Sequence, residues 1–176
     1  MDKIVLGSGT VYIDEFASTI PEDSTIEVEA KLLGYIQGGA SIEYKPTYYT
    51  TKDDSGKMVK TILTDEEVTF KSGILTWCGE TLKKLCSTAR VTSTTTLRTV
   101  KIGGISNQDG KKYLIRFVHE DAEQGAIRLT IVGNNQSGFS LAFAKDKETV
   151  IDAEFKALPH DTDGTLITYT EEIPAA

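Results

Sequence analysis

A chain of 176 residues with 39% hydrophobic and 26% charged side chains has the size and make-up of one globular domain, long enough to build a core without disulfide or metal staples. Its 19 basic residues against 26 acidic ones give a net charge of -7, the wrong sign for a protein that grips nucleic acid by neutralising phosphates. No apolar run reaches the ~20 residues of a membrane-spanning helix, and residues 1–7 lack the apolar stretch of a secretion signal, so the expectation is a cytoplasmic product with no membrane anchor.

Residues 10–16 alternate as a strand, with Val11 and Ile13 on one side and Tyr12 and Asp14 on the other. Ile20-Pro21-Glu22-Asp23-Ser24 ends it. Residues 25–31 alternate again, Ile26, Val28 and Ala30 against Glu27, Glu29 and Lys31; a short helix fits the same letters, and the reading is a strand. Residues 35–44 form an extended run in which Gly38-Gly39 marks a bulge, a bend or a close backbone approach. Two further strands, 46–51 and 58–64, flank the turn cluster 52–57 and make a long hairpin. The arm, residues 45–60, is dominated by Lys, Thr, Tyr and Asp and has little core to cover. A two-stranded hairpin is marginal alone in water, so the arm is expected to order against something else.

Residues 67–71 put Val68 and Phe70 on one face, and Ser72 reads as the N-cap of a following helix. That helix places Ile74, Leu75, Cys78, Leu82, Leu85 and Cys86 on an apolar stripe and leaves Glu80, Lys83 and Lys84 in water. Cys78 and Cys86 would lie ~12 Å apart along it, too far for a disulfide. They read as buried small hydrophobes. The Ser/Thr-rich residues 87–96 read as irregular.

Strands are expected at 97–102 and 112–119, joined as a hairpin through Asn107-Gln108-Asp109-Gly110, because Asp-Gly favours tight hairpin turns. Further strands follow at 126–132 and 139–144. At 150–156, Ile151, Ala153 and Phe155 point inward while Asp152, Glu154 and Lys156 point outward. A last strand, 165–170, follows Asp161-Thr162-Asp163-Gly164. Eight to ten strands and one amphipathic helix imply a mainly β protein, a sandwich or barrel with a flanking helix, as a single domain over 1–176.

Motifs that carry chemistry are lacking. Gly7-Ser8-Gly9 and Gly103-Gly104 are too short for a phosphate cradle, and neither His119 nor His160 sits in a metal-binding pattern. His119, next to Glu120 and Asp121, reads as a surface residue. A calcium loop at 161–164 fails on register, since Pro159 and Thr170 fall where the first and last ligands belong. Adjacent pairs such as Asp53-Asp54 and Glu66-Glu67 are sent to opposite faces by strand geometry. No catalytic, cofactor-binding or metal-binding residue is named, and the expectation is a non-enzyme.

Over Gly34-Tyr35-Ile36-Gln37-Gly38-Gly39-Ala40-Ser41-Ile42-Glu43-Tyr44, the arm that follows, and Asp65-Glu66-Glu67-Val68-Thr69-Phe70-Lys71-Ser72-Gly73-Ile74-Leu75, with an echo at Phe155-Lys156-Ala157-Leu158-Pro159, the sequence resembles the tail tube (major tail) proteins of siphophages. The resemblance implies a β-sandwich of the kind shared with contractile-tail tubes and Hcp of type VI secretion, built into hexameric rings stacked as a hollow tube. It further implies tape-measure, terminator and initiator proteins as partners, DNA transiting the lumen without specific binding, assembly in the host cytoplasm and a final place in the virion tail. Tyr48, Tyr49, Lys52, Asp53, Asp54 and Lys57 of the arm are the expected inter-ring contacts. Asp152 and Glu154, with Glu27 and Glu29 behind them, are the candidate lumen acids. The competing readings are the inner tube of a contractile injection machine and a β-sandwich surface or carbohydrate-binding module, the latter resting on the tyrosine group Tyr44, Tyr48 and Tyr49.

Overall fold

The computed structural model describes residues 8–122 and 125–173; the sequence reading of residues 1–7 lies outside them. In chain order the strands are β1 (Thr10–Glu15), β2 (Leu32–Gly34), β3 (Ile36–Lys52), β4 (Val59–Ile74), β5 (Arg90–Ser93), β6 (Arg98–Lys101), β7 (Tyr113–His119), β8 (Ile127–Asn135), β9 (Ile151–Ala157) and β10 (Ile167–Glu171). The helices are α1 (Asp23–Ile26) and α2 (Gly79–Leu85). The protein is mainly β, as its alternating segments dictate.

One antiparallel sheet runs β2-β1-β7-β8-β9-β4-β3, with β10 also joined to β8. Strand β8 changes neighbour along its length, pairing through Ile127 to Ile131 with β10 and through Gly133 to Asn135 with β9. The two ends of the sheet meet. β2 and β3 stand first and last in the order, yet only Tyr35 separates them in sequence. The Tyr35 N–H donates to Thr76 Oγ1 at 2.8 Å, and its carbonyl accepts from the Leu75 N–H at 2.7 Å. Phe70 on β4 and Phe117 on β7 have ring centroids 6.3 Å apart. Three strand steps across a flat sheet would separate them by ~14 Å, so the sheet is rolled over its own inner face.

Inside the roll, alternate residues of five strands make the main core: Val11 and Ile13, Val68 and Phe70, Ile115, Ile131, Ile151 and Phe155, closed at one end by Leu85 of α2. The opposite face of β7 and β8 is covered as well, because Ile26 of α1 is fully buried against Leu114 and Val132. That double burial explains the nearly continuous apolar run of β7.

Several sequence expectations are corrected. Residues 25–31 are not a strand: α1 occupies Asp23–Ile26 and a 3-10 turn Glu29–Lys31, so Ile26 points down while Val28 and Ala30 stay exposed. A segment with no neighbouring edge to pair with gains more from one helical turn that plants Ile26. The helix expected after Ser72 starts only at Gly79, because β4 continues to Ile74 along β9, pairing Ser72 with Ala153 and Ile74 with Ile151. Cys78, not Ser72, is the N-cap, and Thr81 Oγ1 accepts from its N–H at 3.2 Å. Neither cysteine is buried: Cys78 is exposed and Cys86 half-buried, and both are free thiols.

The stretch 87–96 contains β5, which pairs with β6 as a separate two-stranded sheet. The expected pairing of 97–102 with 112–119 therefore does not form; β7 lies between β1 and β8 instead. Long-range edges with a shared core outcompete a local turn signal here. Residues 139–144 hold no strand, only an isolated bridge from Ala144 to Lys147.

Candidate functional site

Every residue from 43 to 67 is exposed, so the distal parts of β3 and β4 stand clear of the body as a two-stranded arm. It is longer at its root than the 45–60 expected from sequence. From the pair Lys45 and Glu67 to the pair Lys52 and Val59 the ladder continues without support, over a length of ~25 Å. The tip is a tight turn. The Asp53 carboxylate accepts from the Met58 N–H at 2.7 Å and from the Ser55 hydroxyl, and Gly56 takes φ 68 to complete the turn. The Ser55 hydroxyl first, and the Met58 N–H after it, hold the Asp53 carboxyl below the usual carboxylate range.

The arm has two unlike faces. The bulge between Thr47 and Tyr48, where Thr64 has no partner, keeps direct cross-strand pairs together. Counting by two from Ile42, which packs on the core, Tyr44, Pro46 and Tyr48 share one face with their partners Val68, Glu66 and Leu63, and Val59 lies further out opposite Lys52. The core-facing side of the sheet thus runs outward past the core with nothing layered on it. Tyr44, Tyr48, Val59 and Leu63 are 44 to 59% exposed there. Tyr49 and Ile62 pair on the opposite face. Sequence reasoning had grouped Tyr44 and Tyr48 with Tyr49 and had not joined Leu63 and Val59 to them in one stripe; strand parity carried through the bulge is the signal that sorts them.

Lys52, Asp53, Asp54 and Lys57 all lie at the exposed tip. Of the acids expected to line a lumen, Asp152 and Glu154 sit on the outward face of β9, and Glu154 pairs with Lys71 at 3.0 Å, which holds its carboxyl below the usual range. Glu29 is exposed in the 3-10 turn. Glu27 is elsewhere in chemistry: its carboxylate takes Arg116 at 3.1 Å and Arg128 at 2.8 Å, with only 15% of its side chain exposed. Its carboxylate faces the two arginines rather than open solvent. Asp23 joins both arginines and Glu172 joins Arg128 at 2.8 Å, so this cluster ties α1 and the end of β10 to the outer face of β7 and β8. The hydrogen bonds that Arg128 donates to Glu27 and Glu172 push its pKa up.

Along the root of the arm lies a groove of about 620 Å³, floored by Ala40, Ser72 and Ala153 and bordered by Gly38-Gly39, the loop 137–140 and Asp152. Both Gly38 and Gly39 take φ 81, and the register jumps from Gln37 opposite Gly73 to Ala40 opposite Ser72, so of the bulge, bend or close approach expected there the chain makes a bulge. Ser72 is 5% exposed and its hydroxyl has no hydrogen-bond partner.

His119 is corrected from a surface to a buried residue: it is 5% exposed, and its Nδ1–H donates to the Ser8 carbonyl at 2.7 Å. His160 packs edge-on to Phe16 at 6.2 Å. In the 161–164 turn the Asp161 carboxylate accepts from the N–H groups of Asp163 and Thr165 at 3.1 and 2.8 Å, which accounts for its acids as a turn device. Among the described residues no three His, Cys, Asp or Glu side chains gather in a way that would hold a metal ion, and no helix is long and apolar enough to cross a membrane. At Cys78, burial pushes the thiol up but is outweighed by N–H donors of Thr81 and Glu80, the Thr81 hydroxyl and Arg98, leaving its pKa lowered.

No family model matches the chain, and no curated protein matches it. Among solved structures it is similar to a chain from the virion of a native gene transfer agent (GTA) particle, with a TM-score of 0.44 and 7% identity, over 93% of this chain and 95% of that one. The reading of the site rests on its own geometry.

Proposed function

We propose that this protein is a non-enzymatic structural subunit of a phage tail tube, polymerising as stacked hexameric rings around a lumen through which DNA passes. The observation that carries the reading is the arm: a ribbon exposed at every residue from 43 to 67 whose core-side stripe is uncovered. Such a ribbon is marginal alone and gains stability by docking. The rolled body leaves long β3 as a free sheet edge, and an unpaired edge is a template for a neighbouring chain. A contact between unlike patches closes rings or propagates filaments. In this reading Asp152 and Glu154 face the lumen, and the net charge of -7 keeps phosphates from adhering. Tape-measure, terminator and initiator proteins are its further partners, with assembly in the host cytoplasm and residence in the virion tail.

The surface-binding alternative is less well served, because Tyr49 points to the opposite face of the arm from Tyr44 and Tyr48, which splits the tyrosine group. Negative-stain electron microscopy with light scattering on concentrated protein tests the proposal. Hollow rings or tubes of uniform diameter are expected from the intact chain, and dispersed, folded monomers from a variant in which residues 45–66 are replaced by an Asn-Gly turn. Tubes from the shortened variant at the concentration that suffices for the intact chain would refute the role of the arm.

A further inference from the structure

The charge of this chain is divided. Residues 81–119 carry eight of the 19 basic side chains and one of the 26 acids, a net charge of +7, which leaves -14 on the remainder. Three of these cations, Arg90, Arg98 and Lys101, stand on the two-stranded sheet of β5 and β6, and Lys83 and Lys84 stand on α2, against which that ribbon packs. The ribbon pairs with no strand of the main sheet. We infer that its outer face is a docking surface for carboxylates of a second copy of this chain. The inference rests on the assembly reading above, and the contact it names uses neither the arm nor the free edge of β3.

Strand parity gives the ribbon two faces. Val91, Ser93, Arg98 and Val100 share the side that rests on α2, where a Cβ on Gly79 would meet both the Arg98 stem and Val100 at 2.8 Å. Arg90, Thr92, Thr99 and Lys101 share the other side, and all four are exposed. On that side Arg90 is the direct cross-strand partner of Lys101, and like charges so placed repel. The Arg90 guanidinium is held there by its hydrogen bond to the Gly103 carbonyl at 3.2 Å, and neither cation has an ion pair among the described residues. Arg98, by contrast, leans back towards Glu80 at 3.9 Å. No acid lies between Glu80 and Asp109 in sequence, so the ribbon carries nothing of its own to relieve the repulsion. A carboxylate brought by another molecule relieves it.

A net charge of -7 keeps identical subunits apart, so association needs a surface that reverses the sign locally. Charges in about 0.1 M salt act over about 10 Å, so a neighbour feels the cationic and acidic regions of one subunit separately. A second copy brings carboxylates together with a cationic ribbon of its own. Each copy can therefore set its ribbon against the acidic remainder of the next, a contact between unlike surfaces that can repeat. Nucleic acid is negative along its whole length; it gains only at the ribbon and is repelled by the -14 of the remainder.

Lys101→Glu separates docking from folding, because it turns the repelling pair with Arg90 into an attracting one. In the full-length chain it is expected to leave the melting temperature of dilute protein unchanged or higher, and to raise the protein concentration needed for assembly in about 0.1 M salt about tenfold. Lys145→Glu, the same change of charge in the exposed turn bridged by Ala144 and Lys147, is the control and is expected to stay within about threefold of the intact chain. In about 1 M salt, where charges act over about 3 Å, the difference between the two variants is expected to vanish. Carbodiimide coupling of an equal mixture of unlabelled and isotopically labelled chains is expected to join Lys101 of one chain to an aspartate or glutamate of the other. Assembly of Lys101→Glu at the concentration that suffices for Lys145→Glu overturns the ribbon contact and leaves the tube reading standing, as does coupling of Lys101 only within its own chain. Binding of the intact chain to duplex DNA that Lys101→Glu abolishes, with assembly undiminished, overturns it in favour of a phosphate partner. A chain that stays monomeric under every condition overturns both readings.

Discussion

Replacing Tyr48 and Leu63 together by serine separates what holds the subunit from what joins subunits. The two residues are direct partners across β3 and β4, on the stripe that continues the core face, and are 59% and 44% exposed. Neither belongs to the buried clusters. Their loss to the free subunit is that of one cross-strand pair, about 0.2–1 kcal/mol. Docking is different. Full burial of a large apolar side chain contributes roughly 1.5–3 kcal/mol, and each of these is about half covered already, so docking gains roughly 1 kcal/mol apiece. The double variant should weaken association by about 2 kcal/mol, or roughly 30-fold in concentration. Urea unfolding of dilute protein gives the first quantity, and sedimentation velocity across a concentration series gives the second. Assembly at unchanged concentration, or a loss of subunit stability above about 2 kcal/mol, refutes the argument, since either result means the stripe faces its own chain.

Ser72→Ala should stabilise the dilute subunit by about 1 kcal/mol, because it removes a buried hydroxyl that has no partner; thermal unfolding reads the change, and a loss of stability would show that the hydroxyl is satisfied. Arg116→Ala should destabilise by roughly 1.5–3 kcal/mol, as the charge-assisted hydrogen bonds of a guanidinium only 6% exposed are lost while Glu27 keeps Arg128; chemical denaturation measures it, and a cost below about 1 kcal/mol would show the cluster to be solvated. Tyr113, buried on β7, has its pKa pushed up to about 12 by burial and then by Asp109 and Glu15. Because the folded value exceeds the unfolded one, its contribution is complete below about pH 10 and is lost as pH rises towards 12. Tyr113→Phe should flatten the alkaline fall in stability over that window and remove the last-titrating phenol from an ultraviolet titration.

The body was legible wherever a strand has one wet face. Val11 and Ile13, and Ile151, Ala153 and Phe155, alternate with polar neighbours and lie where period two puts them. Reading failed where two structures fit the same letters. Ile74 and Leu75 suit the first turn of a helix as well as the end of a strand, and only the ladder to β9 decides between them. Ile26 is as good an anchor for a single turn as for a strand, and the decision comes from Arg116 and Arg128, 89 and 101 residues beyond the Glu27 that they bind. Asp109-Gly110 is a sound turn signal, with Gly110 at φ 65, but a turn fixes only local direction and says nothing of whether β6 or β1 will pair with β7. The arm was visible as a hairpin with too little to cover. Its one-sided stripe was not, because the bulge at Thr64 breaks the simple count on β4.

The way the sheet closes accounts for why the arm is free to serve assembly. A hairpin of this length inside a flat sheet would have neighbours on both sides and its apolar residues would be ordinary core. Here the link through Tyr35 draws β2 and β3 together, so the rolled sheet completes its core with the proximal parts of β3 and β4. Ile42 and Phe70 are the last pair to contribute; Tyr44 and Val68, one step along the same face, divide, with Val68 buried and Tyr44 51% exposed. Beyond that pair the ladder has no fold to stabilise, and an exposed edge with an uncovered stripe is an aggregation liability unless a specific partner takes it. Its tip is nevertheless well built, with Asp53 fixing the turn through two hydrogen bonds. A ribbon that is shaped at its tip, uncovered along one face and dispensable to the core has the physical properties of a connector between copies, in which docking supplies the stabilisation that the isolated arm lacks.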